Sequence, residues 1–314
     1  MILTVTLNSA IDHVLLIDEL TPGLPMLARA VVTSVGGKGL DASVVLRHLG
    51  VETVGLTFVA GDNGKVLVDL LQGYGIVPAT VWVEGETRFI YVLAESETRR
   101  VSHVKHGGLK VNARQLDQFT QAYRRHLEGS QWVICSGSLP ASVPDSFYGE
   151  LARLAAEARI PFLIDSSGDA LIESISNRPT ILKMNWEEFE WTFGVRAERL
   201  EDLIPAARDV YHKYELRNLV LTCATLGILA LTPAGDFRAI APVQQAVNAA
   251  GAGDAVSAAL AWRLSMGESW ADALRWSAAA AAAVVLTEGT ADCRWEDVQE
   301  ILSQVAIQTI PAGE

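Results

Sequence analysis

VNAAGAGDAVSAALAWRL, residues 247–264, runs from small residues through Gly251-Ala252-Gly253 to Asp254 and on into helical, apolar-periodic spacing. Unpaired N–H groups and the helix dipole make such a glycine-rich turn a ready phosphate site. The aspartate is the anomaly, because an anion site that needed only charge neutralisation would carry lysine. Beside bound phosphoryl groups, a carboxylate there has value as a general base toward an acceptor hydroxyl. In isolation, Asp254 reads as a helix cap.

Upstream of this turn the chain alternates. Strand-type runs at Ile2–Leu7, Thr53–Val59, Trp132–Cys135, Phe162–Asp165, Ile181–Lys183, Leu219–Thr222 and Gly227–Leu231 recur along it. Helical spacing falls between them at Leu40–Leu49, Asn63–Tyr74, Asn112–Leu127 and Pro144–Ala158, and helices near 254–265, 270–286 and 295–305 close the chain. That rhythm predicts βαβ units, a mainly parallel sheet and helices on both faces. Two ranges interrupt it. Residues 11–35 and 78–105, the second containing VPATVWVEG, TRFIYVLA and RRVSHV, carry β-type segments without helices between them and predict a small β-flap. Ligands of open α/β sheets bind at the C-terminal strand ends, where a flap excludes water. No linker, repeat or composition break divides the 314 residues, so a single domain is expected, with the flap strands inserted in it.

A net charge of −12, with half the residues hydrophobic and a fifth charged, describes a well-filled core. It argues against nonspecific binding to nucleic acid or to an anionic membrane. Cys135, Cys223 and Cys293 are far apart and odd in number, without metal or disulfide spacing, which points to a reducing cytosol. The start, MILTVTLNSAID, lacks a basic n-region and reads as a strand. The longest apolar run, Ala278–Leu286, is too short to span a bilayer and predicts a buried helix lying close to a sheet.

Further polar turns cluster at the expected strand ends. SVGGKGLDAS, 34–43, puts Gly36-Gly37-Lys38-Gly39 before a helix, a backbone that a ligand can approach closely. It is not the Walker A pattern, and its plain alternative is a turn. Asp12, in LNSAID, can accept from the vicinal hydroxyls of a polyol or serve as a turn residue. Asn185 and Glu188, in KMNWEEFEW, have the spacing of a capping box and also of a pair holding Mg²⁺ through water. Asp165 in LIDSSG ends another strand facing the same crevice, and SGSLP at 136–140 is a further polar turn.

In order along nearly the whole chain, LNSAID, GGKG, the TR of ETRFI, SGSLP, DSSG, N-x-x-E, GAGD and EGT resemble the phosphofructokinase-B family of ribokinase-like carbohydrate kinases. The likeness is closest to its 1-phosphofructokinase and tagatose-6-phosphate kinase branch. It implies a three-layer α/β/α sandwich with a β-lid, ATP as donor and Mg²⁺ as cofactor. It makes Asp254 the catalytic base and the Gly251, Ala252 and Gly253 amides the anion hole. Asp12, Gly37, Lys38, Gly39 and Asp41 would line the sugar site, with Arg88 and Ser136 reaching a phosphate already on the substrate. The nucleotide side would use Asn185, Glu188, Thr222, Gly227 and Asn248, and Asp165 would join Asn185 and Glu188 around a water-bridged Mg²⁺. A homodimer through the lid is also implied.

The departures from that pattern cluster on the acceptor side. Asp41 replaces an asparagine, Ile90 another, and Met26-Leu27 an Asn-Arg pair, although Arg29 follows; Ser9 replaces a common proline. On the nucleotide side Ala224 replaces a glycine and Ala249 a polar residue. At ~4 Å and an effective dielectric near 20, a like-charge contact costs about 4 kcal/mol before screening. An acceptor phosphate therefore cannot rest on an ionised Asp41 without a cation between. A kinase of an unphosphorylated sugar, polyol or nucleoside is accordingly the second expectation, and a non-catalytic sugar or nucleotide sensor a third. A dinucleotide oxidoreductase fits poorly, because GAGDAV lacks the third glycine and puts an acid where pyrophosphate would lie.

Overall fold

The computed structural model describes residues 1–98, 100–106 and 108–311; Arg99, in the second flap range, lies outside them. Strand β1 (Ile2–Thr6) is buried along its whole length, as a central parallel strand must be when helices cover both faces. Alternation sends Leu3 and Val5 into one core and Ile2 into the other. β1 pairs in parallel with β4 (Thr53–Val59) on one side and β8 (Trp132–Ser136) on the other. Beyond β4 lies β5 (Val77–Trp82), and beyond β8 follow β9 (Phe162–Asp165), β10 (Ile181–Asn185) and β11 (Leu219–Thr222), all parallel. β12 (Ile228–Thr232), β13 (Gly235–Ile240) and β14 (Ala306–Ile310) extend this edge antiparallel, giving ten strands.

Helices α1 (Lys38–His48), α8 (Ala252–Ser265), α9 (Trp270–Val284) and α10 (Trp295–Leu302) cover one face. The other is covered by α3 (Ala113–Leu127), α4 (Phe147–Glu157), α5 (Gly168–Ile175), α6 (Trp186–Phe193) and α7 (Leu200–Lys213). Leu67 and Leu71 of α2 (Gly61–Gly73) pack with α1 residues Leu40 and Val44. The result is the three-layer sandwich that the alternation predicts. The direction of strand progression reverses at β1, so the loops after β1 and β8 diverge and open a crevice. Among the described residues no helix is long and apolar enough to cross a membrane.

A second sheet, in the order β3 (Ala30–Gly36), β2 (Ala10–Ile17), β6 (Arg88–Glu95), β7 (Val101–Lys105), stands over that crevice. Its register aligns Ser34, Asp12, Ile90 and Lys105 in one row across the four strands. The expected flap thus exists, but VPATVWVEG does not belong to it. Val77–Trp82 directly follows α2 and completes a β4-α2-β5 crossover, which lands it on the main sheet. Helices α5 and α7 and strands β13 and β14 have no counterpart in the sequence reading. The alanine run predicts close approach to a sheet; α9 packs chiefly on α8, whose own alanines face it, then on α10, and least on β13 and β14.

Candidate active site

The crevice is a cleft of about 1100 Å³, bounded by the C-terminal ends of the parallel strands, the starts of α1 and α8, and the small sheet. Most of the polar residues expected from the sequence converge on it: Asp12, Gly37, Lys38, Asp41, Arg88, Asn185, Glu188, Thr222, Gly251, Gly253 and Asp254.

Gly251 is the N-cap of α8 at φ +87°, where a side chain would collide with the backbone of Ala291. A residue other than glycine would be strained there twice over. Gly251, Gly253 and Asp254 of this turn line the cleft, and the first-turn amides of α8 have no intrahelical acceptor. One is partly engaged already, since Ala252 N donates to Ala249 O at 3.3 Å. Asp254 sits in this turn, 7% exposed. Burial, and then the charge of Asp165, push its carboxyl up to about 7, against the pull of Lys183 and Lys38.

Beneath Asp254 lies a buried ion network. Asp165 accepts from Lys183 Nζ at 2.6 Å, Lys38 Nζ at 3.2 Å and Ser257 Oγ at 3.2 Å. Burial works against its charge, but Lys183 and Lys38 outweigh that and hold the carboxyl below the usual range. Lys38 Nζ also donates to Glu188 Oε1 at 2.7 Å. Burial opposes its charge as well, yet Asp165 and Glu188 bind its proton more firmly than water would. Asn185 and Glu188 form the reciprocal cap of α6: Asn185 Oδ1 accepts from Glu188 N at 2.7 Å, and Glu188 Oε2 from Asn185 N at 3.0 Å. Among the described residues no three His, Cys, Asp or Glu side chains gather as a metal-binding cluster.

At the small-sheet end, Asp12 Oδ2 accepts from Thr290 Oγ1 at 2.9 Å while its Oδ1 is buried without a partner. Burial pushes Asp12 up to about 6, with Thr290, Arg88 and Lys105 pulling it back. Asp41, in the first turn of α1, is 5% exposed, and its Oδ1 is also unpartnered. Burial, then the charges of Asp254 and Asp12, hold it well above the carboxylate range. Asn8 adds a third buried oxygen without a donor. Three such acceptors in one wall call for a ligand rich in donors.

Asp165, fully buried, lies beneath the lining, and five more expected residues lie elsewhere. Ser136 is fully buried as the last residue of β8; Ser138, past the turn, reaches the cleft and accepts from Asn8 Nδ2. Gly39 does not line the cleft but packs α1 tightly on Val5 and Thr6 of β1. Gly227 is pressed against the Ala239 carbonyl, and Asn248 spends its amide on Ala250 N and the carbonyls of Glu288 and Gly289. Ala252 lies behind the two glycines that face the cleft. The sequence reading overlooked Lys183, His103, Lys105 and Thr290, all of which line it. For Lys183 a signal existed, since a lysine inside a buried strand needs an anionic partner.

Residues 1–297 match the family described as pfkB family carbohydrate kinase. The chain belongs to that family. The kinase is 29% identical to D-tagatose-1-phosphate kinase of Bacillus licheniformis, over 98% of this chain and 99% of that one. It is 29% identical to 1-phosphofructokinase of Escherichia coli over 90% of each. Among solved structures, its fold matches a possible 1-phosphofructokinase from Thermotoga maritima with a TM-score of 0.90, at 24% identity over 99% of this chain and 100% of that one. It also matches Arabidopsis thaliana ribokinase complexed with ribose and ATP, with a TM-score of 0.75 at 21% identity over 96% and 98% of the two chains.

Proposed function

We propose that the kinase transfers the γ-phosphoryl group of ATP to a hydroxyl of a sugar phosphate. The observation that carries this reading is the placement of Asp254, a buried carboxyl with its pKa pushed up to about 7, in the same turn as the free amides of α8. A base poised near neutrality accepts a proton readily and still has a driving force for the transfer. Asp254 takes the proton of the acceptor hydroxyl as its oxygen bonds to the γ-phosphorus. The bond to the bridging oxygen breaks, and ADP leaves. The Gly251 and Gly253 amides face the charge on the phosphoryl oxygens. Lys183 and Lys38, anchored by Asp165, offset the charge of the phosphates.

Asn185 and Glu188 already bond each other, and both oxygens of Asp165 are bound by ammonium groups. This donor set fits a Mg²⁺ ion carried mainly by phosphate oxygens and water, with Asn185 and Glu188 touching it through water. Mg²⁺ so bound neutralises phosphate charge. We therefore assign Asp165 to the lysines rather than to the metal. Thr222, at the end of β11, lines the cleft and is assigned to the nucleotide.

The whole chain acts as one catalytic unit, in the cytosol, with the small sheet as its lid. The outer face of that lid exposes Val31, Tyr91 and Val104 and is assigned to contact with a second copy. A coupled assay over fructose 1-phosphate, fructose 6-phosphate, tagatose 6-phosphate and tagatose 1-phosphate tests the reaction. Turnover of at least one is expected. ATP binding without turnover of any, alongside turnover of neutral sugars, transfers the assignment to the unphosphorylated acceptors that Asp41 and Ile90 favour.

A further inference from the structure

The cleft carries a pair of cations on its small-sheet side. Strand alternation directs Arg88 and Ile90 of β6 to the same face, and Lys105 of β7 lies directly opposite Ile90. His103, two residues before Lys105, shares that face, and all four residues line the cleft. Asp41 lies on another element, in the first turn of α1, while Asp12 stands in the same row of the small sheet as Ile90 and Lys105 and feels the charge of Arg88 and Lys105.

Arg88 and Lys105 are diagonal neighbours, a relation in which backbone positions stand roughly 7–8 Å apart. Two long side chains at that spacing can close on one phosphate. Arg88 is oriented for it: Nη2 donates to Asn8 O at 3.0 Å, which fixes the guanidinium plane, while Nε is buried with no partner. Between the two cations Ile90 offers no hydrogen bond, so selection at this spot acts through charge. Lys105 is exposed on β7, the edge strand of the lid, and its charge already acts on Asp12 in the same row.

With Arg88 expected at the acceptor's phosphate from the family resemblance, we infer that Lys105 clamps the same phosphate from β7 and is a specificity-determining residue, with Asp41 facing the acceptor's hydroxyls. The inference rests on the sugar-phosphate reading above. It orients the substrate: phosphate under the lid, hydroxyls toward Asp12 and Asp41, and the reacting oxygen toward Asp254.

The test compares wild type, Lys105→Met and Lys105→Arg for KM of the sugar phosphate, KM of ATP and kcat, with thermal-shift titrations of fructose 1-phosphate, fructose and inorganic phosphate. Losing one charge-assisted bond should raise KM for the sugar phosphate roughly 10-fold or more. KM for ATP should change less than twofold, and Lys105→Arg should recover most of the loss. Stabilisation by inorganic phosphate should weaken in Lys105→Met. A sugar-phosphate KM within twofold of wild type in Lys105→Met, or an equal rise in the KM of ATP, overturns the clamp while leaving the kinase reading standing. If wild type is stabilised by ATP but neither stabilised by nor active on any sugar phosphate, the sugar-phosphate reading fails and the clamp fails with it.

Discussion

Replacing Asp254 by asparagine should make the kinase almost inactive and more stable at the same time. The structure gives no hydrogen-bond partner that the carboxylate would lose, and the exchange preserves shape. What changes is charge. Folding moves the carboxyl from an ordinary 3.8 to about 7. At about 1.4 kcal/mol per unit, ionising it in the folded protein costs up to roughly 4 kcal/mol relative to the unfolded chain. The folded state binds this proton more tightly than the unfolded state. The cost is therefore absent well below pH 3.8, where both states are protonated, still small at pH 4, grows as pH rises, and is complete above pH 7. Asp254→Asn removes it. With an unfolding entropy of about 2.1 cal/mol/K per residue, the gain at pH 8 is a Tm rise of up to about 6 °C. Loss of the base should lower kcat roughly 10²–10⁴-fold. Calorimetry at pH 4 and pH 8, with kcat from the coupled assay, checks both halves. A variant that is less stable than wild type at pH 8, or one with kcat within tenfold of it, refutes the assignment of residue 254 as a strained, ionised base.

The pH profile follows from the same group. kcat/KM should rise about tenfold per unit below pH 7 and flatten above it, because only ionised Asp254 accepts the proton; acceptor binding measured in parallel accounts for the acceptor phosphate, which itself titrates near 6, and a profile flat from pH 5 to 8 contradicts the role. Lys183→Met leaves Asp165 with Lys38 and Ser257 alone, and should cost roughly 3–5 kcal/mol in urea denaturation as well as slowing transfer; a loss under 1 kcal/mol would mean that Lys38 compensates by itself. Light scattering should give twice the chain mass for wild type and a single chain mass after Tyr91→Lys with Val104→Lys, since two charges on the exposed lid face oppose its burial. Unchanged mass in the double variant places the contact elsewhere.

Much of this protein is written in local patterns. The GAGD turn, the alternation of β1, α1 and β4, and the capping spacing of Asn185 and Glu188 are set by backbone conformation and side-chain period, which act over a few residues. The same locality brings polar turns to the C-terminal ends of successive parallel strands, which is why so many expected residues meet in one cleft. Other features depend on partners remote in the chain. Whether Val77–Trp82 joined the flap or the main sheet was decided by the crossover through α2, not by composition. Ser136 and Ser138 are equally polar, and only the end point of β8 makes one buried and the other accessible. The charge state of Asp254 and Asp41, and the pairing of Lys183 with Asp165, arise from burial and from charges on groups that lie far apart in the chain, Asp41 and Asp254 among them. Above all, the sequence places carboxylates at 12 and 41 and cations at 88 and 105 without saying that they meet. The register of a four-stranded sheet sets Asp12 in one row with Lys105, and the packing of that sheet over α1 brings Asp41 under the charge of Asp12.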